Sequence, residues 1–74
     1  MIIEIGIVAG EIWHYLDKNG EILLYSLIKN IDRDRDTILM SLGWLAREGH
    51  IVLSQGHNKG ELMVQLRKQN AEFK

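Results

Sequence analysis

Ile38-Leu39-Met40-Ser41-Leu42-Gly43-Trp44-Leu45-Ala46-Arg47-Glu48-Gly49-His50-Ile51 is the stretch that decides the fold. Ile38, Leu42 and Leu45 recur at the three- and four-residue steps that bring side chains to one face of a helix. Gly49 supplies the left-handed conformation that closes a helix, and Ile51 opens a new apolar alternation directly after it. The stretch therefore reads as a helix that runs into a strand with almost no connection.

Toward the C-terminus, Ile51 and Leu53 alternate with Val52 and Ser54, and Leu62, Val64 and Leu66 alternate with Met63, Gln65 and Arg67. Two short strands are expected. Between them Gln55-Gly56-His57-Asn58-Lys59-Gly60 has the turn chemistry of a hairpin whose loop exceeds two residues. Residues 69–74 are mostly polar and are expected to be a frayed tail, with Phe73 its one ring able to dock.

Toward the N-terminus, Asp32-Arg33-Asp34-Arg35-Asp36 is a polar turn in which an aspartate can cap a third helix over residues 34–48. Leu24, Leu27 and Ile28 share one face of a second helix over residues 23–30, after a short strand at Glu21-Ile22. Ile5, Val8, Ile12 and Leu16 keep helical spacing through a first helix over residues 2–18, which Asn19-Gly20 stops. The β-branched run Ile2, Ile3, Ile5, Ile7 and Val8 also suits a strand, so the periodicity favours a helical opening without deciding it.

A chain of 74 residues is one domain, 1–74, with a thin core, because a domain this small buries only about 60% of its unfolded surface. It contains no cysteine and no proline, so disulfide staples and thiolate zinc sites are excluded and a cytoplasmic setting is expected. Nine Lys and Arg stand against ten Asp and Glu, a net charge of −1, so no global basic field attracts a polyanion. The apolar N-terminus has no positive flank, carries Glu4 within it and falls short of the roughly 20 residues that span a bilayer, so neither a signal peptide nor membrane insertion is expected.

Three helices followed by a hairpin resemble the winged helix-turn-helix pattern, an α+β fold in which the hairpin is the wing. Ala9-Gly10-Glu11-Ile12-Trp13 together with Leu42-Gly43-Trp44-Leu45-Ala46-Arg47-Glu48 resembles a family of small uncharacterised prokaryotic proteins of this fold, over nearly the whole chain. The resemblance supports a helix at residues 2–18. It implies a transcription-associated, DNA-binding-type module and supplies no catalytic residue.

The chemistry of single residues adds little to catalysis. Glu11 and His14 have the Glu-x-x-His spacing of helical metal sites, but the second such pair is missing, and His50 and His57 have no acidic companions at ligand spacing. Ser26, Ser41 and Ser54 lie in no nucleophile motif, and Gly56 and Gly60 do not make a phosphate loop. No enzyme, no metal and no cofactor is expected.

The third helix bears more on function. At 100° per residue, inward-facing Ile38, Leu42 and Leu45 send Arg33, Asp36, Met40, Gly43, Trp44 and Arg47 to the opposite side. A base-reading helix favours Arg, Lys, Asn or Gln there, and phosphate favours a helix start without carboxylates. Arg33, Arg35, Arg47 and, in the wing loop, Lys59 are the candidate DNA contacts, yet from Glu21 to Gly60 five basic residues are balanced by five acidic ones. Met40, Gly43 and Trp44, with Gly6 and Gly10 on the first helix, are candidate protein contacts, since aromatics anchor interfaces and glycine permits close approach. Trp44 packing under the tail or against the wing, and the two glycines serving helix packing inside the fold, are the competing explanations. The expected working form is a homodimer whose principal contact is DNA or, as the alternative, another protein.

Overall fold

A computed structural model describes residues 2–67. The elements run α1 (Ile2–Asn19), β1 (Ile22–Leu23), α2 (Leu24–Asn30), α3 (Arg35–Arg47), β2 (Ile51–Gln55) and β3 (Leu62–Leu66). The N-terminal β-branched run is helical, because the stripe Val8, Ala9, Ile12 and Leu16 buries only at helical spacing and tertiary burial outweighs local propensity. The tail at 69–74 and Phe73 lie outside the described residues.

Glycine ends both long helices. Gly20 has φ 77 and donates its N–H to the Leu16 carbonyl at 2.8 Å, while Gly49 has φ 80 and donates to Ala46 at 3.1 Å. Side chains with a Cβ rarely adopt that region, so these two positions need glycine. The chain then turns into β2 at once, and Arg67 holds the junction, donating from its backbone N–H to the His50 carbonyl at 2.9 Å and from Nε to the Gly49 carbonyl at 2.8 Å.

β3 is the middle strand of a three-stranded antiparallel sheet, order β1-β3-β2, with Ile22 opposite Val64 and Ile51 opposite Leu66. One core joins Val8, Ile12 and Leu16 of α1, Leu27 of α2, Ile31, Ile38, Leu42 and Leu45 around α3, Ile51 of β2 and Val64 of β3. Leu53, expected on the inward side of its strand, is exposed although its partner Val64 is fully buried. Leu62, also expected inward, is exposed on central β3, whereas Ile51 on β2 is buried, so the end of the hairpin toward its loop extends past the core.

α1 and α3 are joined by more than apolar contact. The buried Ser41 hydroxyl lies 2.7 Å from the Thr37 carbonyl and 3.3 Å from the Ile5 carbonyl on α1, which satisfies a polar group that burial would otherwise penalise. Among the described residues no helix is long and apolar enough to cross a membrane.

Candidate functional site

The start of α3 is closed by its own sequence. Asp34 is the N-cap: its Oδ2 accepts the Thr37 N–H at 3.1 Å and its Oδ1 accepts the Thr37 hydroxyl at 2.9 Å. The backbone donor at Thr37, then its hydroxyl, holds the Asp34 carboxyl below the usual carboxylate range, since both bonds favour the charged form. A phosphate seeking the free N–H groups of this helix start meets a carboxylate already there.

That cap also corrects the placement of Arg33. The helical wheel puts Arg33 on the outer face of α3, but Asp34 has extended backbone angles, so Arg33 precedes the helix and leaves its periodicity. Its guanidinium turns toward α1 and donates from Nε to Glu11 Oε1 at 2.9 Å and from Nη2 to Glu11 Oε2 at 2.6 Å. The hydrogen bonds from Arg33 lower the Glu11 pKa, and those to Glu11 raise that of Arg33.

The other candidate cations do not form one cluster. Arg35, the first residue of α3, borders a cleft of about 520 Å³ that is also lined by Tyr25 and Lys29 of α2 and by Gly60, Glu61 and Leu62 of the wing. Lys29 Nζ sits 5.4 Å from the centroid of the exposed Tyr25 ring, and exposed Lys59 immediately precedes Gly60. Arg47 is also exposed but lies in the last turn of α3, about 18 Å along the helix from Arg35. Tyr25 and Lys29 were not legible as site residues. Their four-residue spacing is a signal for a cation over a ring, but only the cleft joins that pair to Arg35.

The protein-contact candidates fare differently. Gly6, Gly10 and Trp44 line a single groove of about 480 Å³ with Ala9, Trp13, His14, Leu45 and His50, between α1 and the C-terminal half of α3. Met40 and Gly43 lie outside it, exposed on the outer side of α3. Trp44 is 47% exposed, with its ring centroid 6.2 Å from that of His50, so neither the core nor the wing covers it. A Cβ placed on Gly6, Gly10 or Gly43 meets nothing within 4 Å, and none of the three has positive φ. Close packing inside the described fold therefore does not explain these glycines. The groove and the Tyr25 cleft share no lining residue.

Among the described residues no three His, Cys, Asp or Glu side chains come together as a metal site.

A helix-turn-helix formed by α2 and α3, backed by α1 and flanked by a β-hairpin, defines a winged helix-turn-helix domain, a DNA-binding type of module. Helices and sheet together make the fold α+β. The chain belongs to the winged helix-turn-helix domain family DUF2582, whose family model matches residues 2–66, and that description names a fold and no activity. Neither the comparison with curated proteins nor that with solved structures finds a match.

Proposed function

We propose that the chain is a cytoplasmic, transcription-associated module that binds DNA through phosphate contacts and works as a homodimer. The observation that carries the reading is the Tyr25 cleft, where Arg35 at the first residue of α3, Lys29 and the wing residue next to Lys59 meet. This is where a helix-turn-helix and its wing would face a duplex, and phosphate contacts position a protein on DNA without reading its sequence. Base readout is poorly supported, because the outer face of α3 offers Asp36, Met40 and Gly43 where donors to base edges are wanted.

Fluorescence anisotropy with random duplex DNA at low and moderate salt tests this. With few phosphate contacts, binding is weak and falls with salt at a log–log slope of about −2 to −4. Arg35→Ala with Lys59→Ala removes it. Absence of binding at low salt overturns the DNA reading.

One observation favours a second reading, a protein-interaction domain without nucleic-acid binding. Trp44 stands half exposed over a groove that no Asp, Glu, Lys or Arg lines. On that reading Trp44→Ala costs on the order of 2 kcal/mol of association and leaves any DNA binding unchanged.

A further inference from the structure

Phosphate contacts leave much of the Tyr25 cleft without a use. Lys29 and Arg35 supply the cations that a phosphate needs, but Leu23, Leu24, Ile28 and Leu62 wall the same space. Tyr25 is 69% exposed beside them, and Leu62, where the hairpin has run past the core, is 44% exposed. A sugar-phosphate backbone is polar and buries none of this apolar surface. A concave space of about 520 Å³ with apolar walls and a few polar groups has instead the size and make-up of a small-molecule pocket, roughly 300 to 1,000 Å³.

Its charges are not balanced. Of the residues that line it, only Lys29, Arg35 and Glu61 are charged. The Glu61 carboxylate is turned back on the wing loop, where Oε1 accepts the Asn58 N–H and Oε2 accepts from Asn58 Nδ2, both at 3.2 Å. Among the described residues neither Lys29 nor Arg35 has a carboxylate within ion-pair distance, and Lys29 Nζ rests near the Tyr25 ring instead. Two cations and one committed carboxylate leave positive charge in excess. Leu24 opens α2 and Lys29 lies in its last turn, about 7.5 Å further along the axis, so the α2 wall offers an apolar start and a cationic end about one substituted ring apart.

We propose that the cleft binds a small amphipathic carboxylate, whose anionic head meets Lys29 and Arg35 and whose ring or branched apolar body packs on Leu24, Tyr25 and Leu62. The planar fork of an arginine matches a carboxylate with two parallel hydrogen bonds, and an ammonium adds a point charge beside it. The proposal rests on the DNA reading for its consequence: the bound acid occupies cations that phosphates need, so acid and duplex exclude each other.

Charge and shape separate this ligand from others. A monoanion offsets the excess positive charge, whereas a phosphate monoester brings about −1.5 to −2 and overshoots it. Inorganic phosphate leaves the apolar walls unused. A cationic ligand meets Lys29 and Arg35 and finds Glu61 already bonded, and a neutral apolar molecule engages neither cation.

Amide chemical-shift titration of the full chain with naphthaleneacetate tests the proposal, with naphthaleneethanol as the uncharged counterpart and acetate as the head alone. The acid is expected to shift the amides of Tyr25, Lys29, Arg35 and Leu62 with a dissociation constant below about 1 mM, and the alcohol and acetate to bind at least about 10-fold more weakly. Lys29→Gln with Arg35→Gln, both at exposed positions, weakens the acid by about 10-fold or more and removes its advantage over the alcohol. Leu62→Ser weakens acid and alcohol alike. Lys59→Ala, outside the cleft lining, lowers duplex affinity and leaves the acid's constant unchanged.

No shift at about 10 mM acid, ten times that constant, overturns the proposal. Shifts confined to Trp13, Trp44 and His50, or an alcohol that binds as well as the acid, overturn it too. Duplex anisotropy that saturating acid does not lower overturns the exclusion of DNA. Acid held in the cleft by a chain that binds no duplex supports the site and overturns the DNA reading alone, and duplex bound by a chain that takes no acid does the reverse.

Discussion

Arg33 grips Glu11 with both prongs of its guanidinium, at 2.9 and 2.6 Å, and so ties the turn before α3 to the middle of α1. The pair lies at the surface, with side chains 36% and 41% exposed, where water and salt screen its attraction. Its larger consequence is positional: a cation beside the start of the second helix of the helix-turn-helix is turned away from it.

Glu11→Ala releases that cation. The melting temperature is expected to move by only about 2 °C, as for other exposed pairs, while affinity for random duplex DNA rises and the salt slope steepens by about one phosphate contact. An unchanged salt slope in the variant shows that Arg33 does not reach DNA even when free.

Acid acts on the cap of α3. The Asp34 and Glu11 pKa values are both lowered in the fold, the first chiefly by the Thr37 N–H and the second chiefly by the Arg33 hydrogen bonds. Groups of this kind contribute stability that is complete above their unfolded pKa and is lost as pH falls through the folded one. The contribution of these two groups is therefore expected to be complete above about pH 6 and to fall below about pH 4, with the fall smaller in Asp34→Asn. Equal acid sensitivity in wild type and variant refutes the assignment to Asp34.

The core is thin enough for one side chain to matter. Ile12 is fully buried where α1 joins the common core, so Ile12→Ala is expected to cost about 3 kcal/mol in urea unfolding. A loss under 1 kcal/mol means that the core collapses around the vacancy.

Glycines in two settings give opposite signs. At Gly43 a Cβ meets nothing within 4 Å and φ is not positive, so Gly43→Ala is expected to stabilise α3 by about 0.5 to 1 kcal/mol. At Gly49, with φ 80, Gly49→Ala is expected to destabilise by about 1 to 2 kcal/mol. Chemical denaturation of the two variants checks both signs at once, and a destabilised Gly43→Ala contradicts the open space seen at that site.

Much of the architecture was legible because it is written in periods. Val8, Ile12 and Leu16, and then Ile38, Leu42 and Leu45, repeat at helical steps and are buried, and Gly20 and Gly49 stand where each helix must stop. β1 and α2 begin one residue later than expected, at Ile22 and Leu24, because the pairing of Ile22 with Val64 and Leu23 with Met63 belongs to a partner strand some 40 residues away. Leu53 and Leu62 were misplaced for a related reason: alternation tells which side of a strand a residue takes but not how far along the hairpin the core reaches.

The sequence by itself determined the order of the elements and the α+β class, and favoured a helix for the first of them, since hydrophobic period and glycine stops act over neighbouring residues and need no knowledge of distant ones. It also named Gly6, Gly10 and Trp44 as contact candidates. Only the tertiary structure decided how candidates combine: Arg33 bound to Glu11, Arg35 joined to Tyr25 and Lys29 in one cleft, and Gly6, Gly10 and Trp44 joined with Trp13 in another. Those groupings bring together residues up to 38 positions apart, and packing of α1 on α3 and of the wing beside α2 sets them, a geometry that no local pattern encodes.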